Sequence, residues 1–261
     1  MSNTIDILSA HEEDLRAFFF ERGYQDFRLR QLLQWLYTRH VYAFDHMHTL
    51  PAKLREELKE SFHFNNLQQI KEHRSPDGTR KILFASHDNH YVEGVLIPNT
   101  TGRYTACLSS QIGCSLNCAF CATAGIPFGR NLTAGEILQQ AVLLQQAAHT
   151  ETKHNSDIAT KTRTQSNQSS IPLISNIVYM GMGEPLANYD SVVQSIRLLI
   201  DKMHFPARRI TLSTAGLSKR IMQLADEQLG IQLAVSLHSA QQDTRLSIMN
   251  VAQSNPLPSL I

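Results

Sequence analysis

Apolar positions recur along this chain with two different periods. From residue 9 to about 62 they fall at helical spacing. Ser9 and Glu12 form a capping-box pattern at the start of a first helix that ends near Arg22, before Gly23. Asp26 is placed to cap a second helix carrying Phe27, Leu32, Leu33, Trp35 and Leu36, and Pro51 suits the first turn of a third that runs to about Phe62. Residues 1–66 therefore read as a small helical domain.

From Leu67 the period shortens to two. Segments 67–73, 80–86, 90–97 and 103–109 are strand-like, and turn signals separate them at 75–78 (Ser-Pro-Asp-Gly) and 87–89 (His-Asp-Asn). Residues 67–102 read as a β-ribbon adaptor between the helices and the remainder of the chain.

Beyond residue 103 strand and helix patterns alternate. Thr133 and Glu136 make a second capping box, opening a helix through Leu138, Val142, Leu143 and Leu144. Strands are expected at 174–180, 209–213 and 231–237, with helices at 189–202 and 217–228 between them. Near-continuous apolar strands separated by helices predict an α/β fold with a parallel sheet covered on both faces. The stretch at 149–170 is rich in Thr, Ser, Asn, Gln and Lys with almost no apolar anchor, and reads as a mobile polar insertion. No internal repeat is visible beyond the βα alternation.

Composition adds only bounds. The chain has 261 residues, 42 % of them hydrophobic, enough for one large α/β unit with a small appendage. It has no apolar run of about 18 residues and no signal-peptide pattern at its start, so a cytoplasmic protein without a membrane partner is expected. A net charge of +1 excludes a highly basic nucleic-acid coat protein but leaves room for local basic faces, such as Arg28, Arg30 and Arg39. Phe18, Phe19, Phe20, Trp35 and Tyr37 read as packing residues, and the irregular spacing of His40, His46 and His48 argues against a metal site.

The four cysteines change the picture. Cys114, Cys118 and Cys121 stand in a C-x3-C-x2-C spacing, with Cys107 just upstream. In a reducing compartment clustered thiolates point to metal rather than to disulfides. Ordinary iron–sulfur clusters and closed zinc sites take four protein ligands, so three thiolates leave one coordination position open for a substrate. Zinc and inert core thiols remain alternatives on the spacing alone.

Further polar residues fall at the carboxyl ends of the predicted parallel strands, where function gathers in α/β barrels. Gly181 and Gly183 permit close backbone approach, and Glu184 can accept hydrogen bonds from a ligand ammonium. Ser213 and Thr214 can hold a carboxylate or a ribose hydroxyl, or merely cap a helix. Ser236 and His238 end the fourth strand.

Taken together, the cysteine motif, the Gly-Met-Gly-Glu-Pro-Leu run from Gly181, the Ser-Thr-Ala-Gly run from Ser213 and the Ala-Val-Ser-Leu-His run ending at His238 resemble the radical S-adenosylmethionine (SAM) superfamily. The closer resemblance is to its RlmN and Cfr family of adenine methyltransferases, and it runs from about Phe27 to His238, apart from the polar insertion. The resemblance implies a (β/α)6 barrel, here cut after about four βα units in residues 103–261. It implies that Cys114, Cys118 and Cys121 hold a 4Fe–4S cluster whose open iron chelates SAM, and that Gly183, Glu184, Ser213, Ser236, Leu237 and His238 contact SAM. Cys107 then matches the family's resolving cysteine and Glu93 its proton acceptor. Asn117 and Phe120 are assigned no role.

The implied activity is formation of 2-methyladenosine in large-subunit (23S) ribosomal RNA and in transfer RNA, with an electron-donor protein as a further partner. One SAM methylates a protein cysteine, a second yields a radical that activates this methyl group, and Cys107 releases the product through a disulfide. The target base must be exposed from its helix for such chemistry. The family continues past the point where this chain ends, and its methyl-accepting cysteine lies in that continuation. Reduced stability, an exposed fourth-strand edge and no complete methyl transfer by this chain alone are therefore expected. Three readings stay open: an RlmN-type enzyme, as a fragment of a longer gene product or completed by a separately encoded C-terminal part, a remnant binding cluster, SAM or RNA without turnover, and Cfr-like methylation at C8.

Overall fold

A computed structural model of the chain describes residues 4–158 and 173–260, with the backbone alone for 150–158. The short strand β1 (Ile5–Asp6) precedes helices α1 (Glu12–Glu21), α2 (Asp26–Tyr37) and α3 (Ala52–Ser61), and β2 (Phe62–His63) returns to pair with β1 in parallel. The amphipathic spacing buries Leu15, Phe19, Leu32, Leu36, Leu54 and Leu58 between the three helices, with Phe18 edge-on to Phe62. Trp35 and Tyr37 are buried as expected, but Phe20 is 82 % exposed, since the α1 stripe buries its two neighbours instead.

Two expected helix caps do not form. His11, not Ser9, precedes α1, and the Ser9 hydroxyl instead donates to Asp6 Oδ2 at 2.9 Å and accepts from the Gly135 N–H at 3.0 Å. Glu12 is drawn to Arg16 and Lys202. Asp26 is the first helical residue of α2 rather than its cap, and accepts from Arg16. At Ser9 a partner distant in sequence, Gly135, outcompetes the local pattern.

The strands β3 (Gln68–Arg74), β4 (Arg80–Ala85), β5 (Tyr91–Pro98) and β6 (Tyr104–Cys107) form an antiparallel meander. After a small hairpin of β7 (Gln111–Ile112) and β8 (Arg130–Asn131) come α4 (Ala134–Ile158), β9 (Ile174–Tyr179), α5 (Tyr189–Arg197), β10 (Ile210–Thr214), α6 (Ser218–Asp226), β11 (Gln232–Val235) and α7 (Gln242–Ile248). One seven-stranded sheet results, in the order β11-β10-β9-β6-β5-β4-β3, parallel from β6 to β11 and antiparallel from β6 to β3. The ribbon is thus the antiparallel half of the same sheet.

The capping box at α4 forms as expected: the Glu136 N–H donates to Thr133 Oγ1, and the Thr133 N–H to Glu136 Oε2. The backbone of α4 stays helical to Ile158, into the stretch expected to be a polar insertion, whose remainder from 159 lies outside the described residues. A π-helical turn, Leu198–Lys202, ends the helix begun by α5.

Both faces of the sheet were expected to be covered, and the described residues cover only one. Ile82, Phe84, Val92, Leu96, Ala106, Ile177 and Leu212 bury one face under the helices. The fit is close: a Cβ at Gly94 would stand 2.9 Å from Phe84 Cε2 and 3.3 Å from Leu144 Cδ1. The opposite face carries Lys81, Leu83, Glu93, Val95, Thr105, Asn176, Val178, Thr211 and Ser213, all partly or fully exposed. The apolar runs of β9 and β10 conceal a period of two, in which Asn176, Thr211 and Ser213 mark the uncovered side. At the sheet's edge β11 leaves Leu233 and Val235 exposed.

Candidate functional site

The cysteine loop, residues 113–129, leaves the sheet after β6 and is closed at its base by the β7–β8 pair, Gln111 opposite Asn131 and Ile112 opposite Arg130. Gly113 lies in the left-handed region at φ 70°, and a Cβ there would fall 2.2 Å from the Pro127 carbonyl oxygen, so the loop folds back on itself only with glycine at this position.

All four cysteines are free thiols. Cys118 is buried, Cys114 half-buried and Cys121 exposed. Burial pushes the Cys114 and Cys118 thiols up from the ordinary cysteine value, and negative charge on their fellow cysteines and on Glu184 pushes in the same direction. Among the described residues no three His, Cys, Asp or Glu side chains are gathered as around a single metal ion. Three cysteines on one loop, one buried, one half-buried and one exposed, offer three soft donors to a metal group and leave one coordination position open. His40, His46 and His48 do not gather either.

The next loop comes after β9. Gly181 and Gly183 do allow a close approach, but of the cysteine-bearing segment: Cβ atoms there would meet Ser109 Oγ and Gln111 Cβ, each at 2.5 Å. Glu184 is 4 % exposed. Its Oε1 accepts from the Thr214 hydroxyl at 2.7 Å and the Leu186 N–H at 3.0 Å, and its Oε2 from the Ala215 N–H at 2.8 Å. The Glu184 N–H donates to Gln111 Oε1 at 2.9 Å. Burial outweighs these donors and pushes the carboxyl up from its ordinary value. Glu184 thus clasps the loops after β6, β9 and β10, with one acceptor position on Oε2 left for a ligand.

Ser213 ends β10 on the open face, and its hydroxyl lies 3.4 Å from that of Ser236, just beyond β11. Leu237 is half-buried, and His238 is exposed with φ 58°. The His238 ring packs on Phe120 with centroids 4.0 Å apart. The six positions from Gly183 to His238 and the cysteine loop accordingly meet at one rim of the sheet.

Cys107 and Glu93 share the open face rather than the rim. Cys107 pairs with Val95 of β5 and Val178 of β9, and Glu93 lies two residues before Val95 on the same side. Burial pushes the Cys107 thiol up to about 11, although the Met180 N–H donates to it. Glu93 pairs with Lys81 at 3.0 Å in a shallow cavity of about 370 Å³ shared with Lys71, His73 and Leu83.

Three residues of the rim carry no assignment from the sequence. Gln111 binds Glu184, Phe120 packs at a tilt against His238, and Arg245 of α7 is fully buried against the Ala215 carbonyl. Phe120 sits between two cysteines, so proximity to a motif marks it. Nothing local marks Arg245.

A family model described as the ribosomal RNA large subunit methyltransferase N-terminal domain matches residues 5–63. A probable dual-specificity RNA methyltransferase RlmN from Christiangramia forsetii is 39 % identical over 98 % of this chain and 68 % of its own length. Its counterpart from Cytophaga hutchinsonii is 40 % identical over 96 % of this chain, which spans 64 % of that relative's length. The crystal structure of a radical SAM methyltransferase from Sphaerobacter thermophilus superposes with a TM-score of 0.82 at 34 % identity, covering 98 % of this chain and 70 % of the other. With a radical SAM methyltransferase as its structural neighbour and RlmN proteins as its sequence relatives, this chain belongs to the RlmN family.

Proposed function

We propose that the chain carries the radical-generating part of an RlmN-type methyltransferase, which forms 2-methyladenosine in ribosomal and transfer RNA. The observation that carries this reading is the convergence of the three-cysteine loop with the loops after β9, β10 and β11 at one rim, in a chain with RlmN relatives. The sheet is then the first part of a (β/α)6 barrel with its open face as the interior. Residues 1–66 form a helical domain, 67–102 an adaptor and 103–261 the SAM core.

In this reading Cys114, Cys118 and Cys121 hold a 4Fe–4S cluster. When bound, this group supplies one electron for reductive cleavage of SAM. Glu184, through its remaining Oε2 acceptor, and the hydroxyls of Ser213 and Ser236 orient the polar groups of SAM. Gly183, Leu237 and His238 shape the pocket around it. Glu93, on the open face, accepts the proton that the adenine ring gives up. Cys107, held protonated by its burial, stays inert until the product is to be released.

Anaerobic reconstitution with iron and sulfide, then a dithionite-driven assay for 5′-deoxyadenosine, tests this reading. Iron and sulfide uptake with SAM cleavage is expected. A colourless protein that takes up only zinc overturns it, and a loaded protein that binds SAM without cleaving it identifies the chain as a binding module. Nucleoside analysis of treated RNA separates methylation at C2 from methylation at C8.

A further inference from the structure

Arg245 lies in α7, behind the cysteine loop, and is completely buried. Its Nη2 donates to the Ala215 carbonyl at 2.6 Å and its Nη1 to the Asn255 carbonyl at 2.8 Å, while its Nε has no partner. Among the described residues no carboxylate pairs with it. A buried guanidinium without counter-charge and an unmet buried N–H are both costly, so a structure that retains both has a use for them.

The surroundings indicate that use. Ala215, whose carbonyl Arg245 holds, belongs to one small buried cluster with Cys118, Met249 and Ala252. The Ala119 N–H donates to the Ile248 carbonyl at 2.9 Å, fixing the cysteine loop to the end of α7. A Cβ at Gly216 would stand 3.0 Å from Arg245 Nη2, so the Ser-Thr-Ala-Gly loop is shaped around the guanidinium.

We propose that Arg245 is a positioning residue whose missing counter-charge is the anionic group held by the cysteine loop, and that it raises the reduction potential of that group. The inference rests on the proposed cluster and goes beyond it. One electron arrives from a low-potential donor, no bond is made or broken, and Arg245 keeps its proton throughout. Each added electron makes the site more negative, and a fixed cation beside it favours that state.

The test uses the full chain, reconstituted anaerobically with iron and sulfide as wild type, R245M and R245K. A midpoint potential lower in R245M than in wild type, and largely restored in R245K, is expected at equal iron content. Pulsed EPR of reduced wild type grown with 15N-arginine should show a nitrogen coupling that R245K lacks. A loaded R245M at the wild-type potential overturns the inference. Should R245M fail to load, the wild-type spectrum decides, and a reduced cluster without arginine coupling overturns it equally. Wild type that takes up no iron and sulfide defeats the cluster reading itself, a different result from a loaded cluster that ignores Arg245.

Discussion

The Thr214 hydroxyl donates to Glu184 Oε1 across 2.7 Å, joining the end of β10 to the loop after β9 inside the rim of the sheet. Because Glu184 is buried and its carboxyl is pushed up, the folded chain keeps its proton at pH values where the unfolded chain has released it. This group's contribution to stability is therefore greatest at low pH and declines as pH rises from the ordinary glutamate value through the raised one. T214V removes a donor that favours the ionised form. We expect it to destabilise by about 1–3 kcal/mol, more at pH 8 than at pH 5, with T214S near wild type. Denaturant unfolding at the two pH values measures this, and an equal loss at both contradicts it.

A second electrostatic tie has the opposite pH dependence. Arg130 reaches both oxygens of Asp88, at 2.6 and 2.9 Å, and both oxygens of the fully buried Glu136, at 2.7 and 2.8 Å. The guanidinium holds the Asp88 carboxyl well below its ordinary range. Its stabilisation is complete above the unfolded aspartate pKa and is lost as pH falls through that value towards the depressed one. Wild type should lose stability in acid more steeply than D88N. R130M, which strands Glu136, should cost about 3–5 kcal/mol at neutral pH. Thermal melts between pH 3 and 7 report both, and parallel profiles for wild type and D88N contradict the assignment.

Much of this arrangement was legible in the sequence, and the failures share a physical cause. The Thr133 and Glu136 cap formed, whereas Ser9 and Glu12 stand at the same spacing and lost theirs to Gly135 and Lys202, partners that only the fold brings near. The motif residues at the strand ends were readable because each abuts a strand with a clear apolar pattern. That Glu184 spends most of its acceptors on Thr214, Ala215 and Leu186 was not readable, since those bonds depend on how neighbouring strands align. Arg245 was invisible for the same reason: an arginine in a short polar helix looks solvated until the fold seals it.

Gly183 and Gly102 separate strain from crowding. Both have positive φ, 93° and 73°, but a Cβ at Gly183 would lie 2.5 Å from Gln111 Cβ, whereas one at Gly102 meets nothing within 4 Å. G102A should cost only the conformational penalty, about 1 kcal/mol. G183A adds a clash with the segment leading into the cysteine loop and should cost about 3 kcal/mol or more, with loss of iron uptake. Comparable stabilities for the two variants would show that the loop after β9 yields more easily than its packing indicates.

Cys107 and Cys121 should differ sharply as nucleophiles in the metal-free protein. Only thiolate reacts with iodoacetamide, and access limits even that reaction. Cys121 is exposed, while Cys107 is buried between β5 and β9 with its thiol pushed up to about 11. Relative to an ordinary cysteine, a thiol at that value holds about two orders of magnitude less thiolate at neutral pH. Timed alkylation of the native chain, read out by peptide mass spectrometry, should show Cys121 modified first and Cys107 last. Denaturant should erase the difference, because it removes the burial that causes it. If native Cys107 reacts as fast as Cys121, its thiol lies open on the uncovered face, and it does not wait in protonated form for release of product.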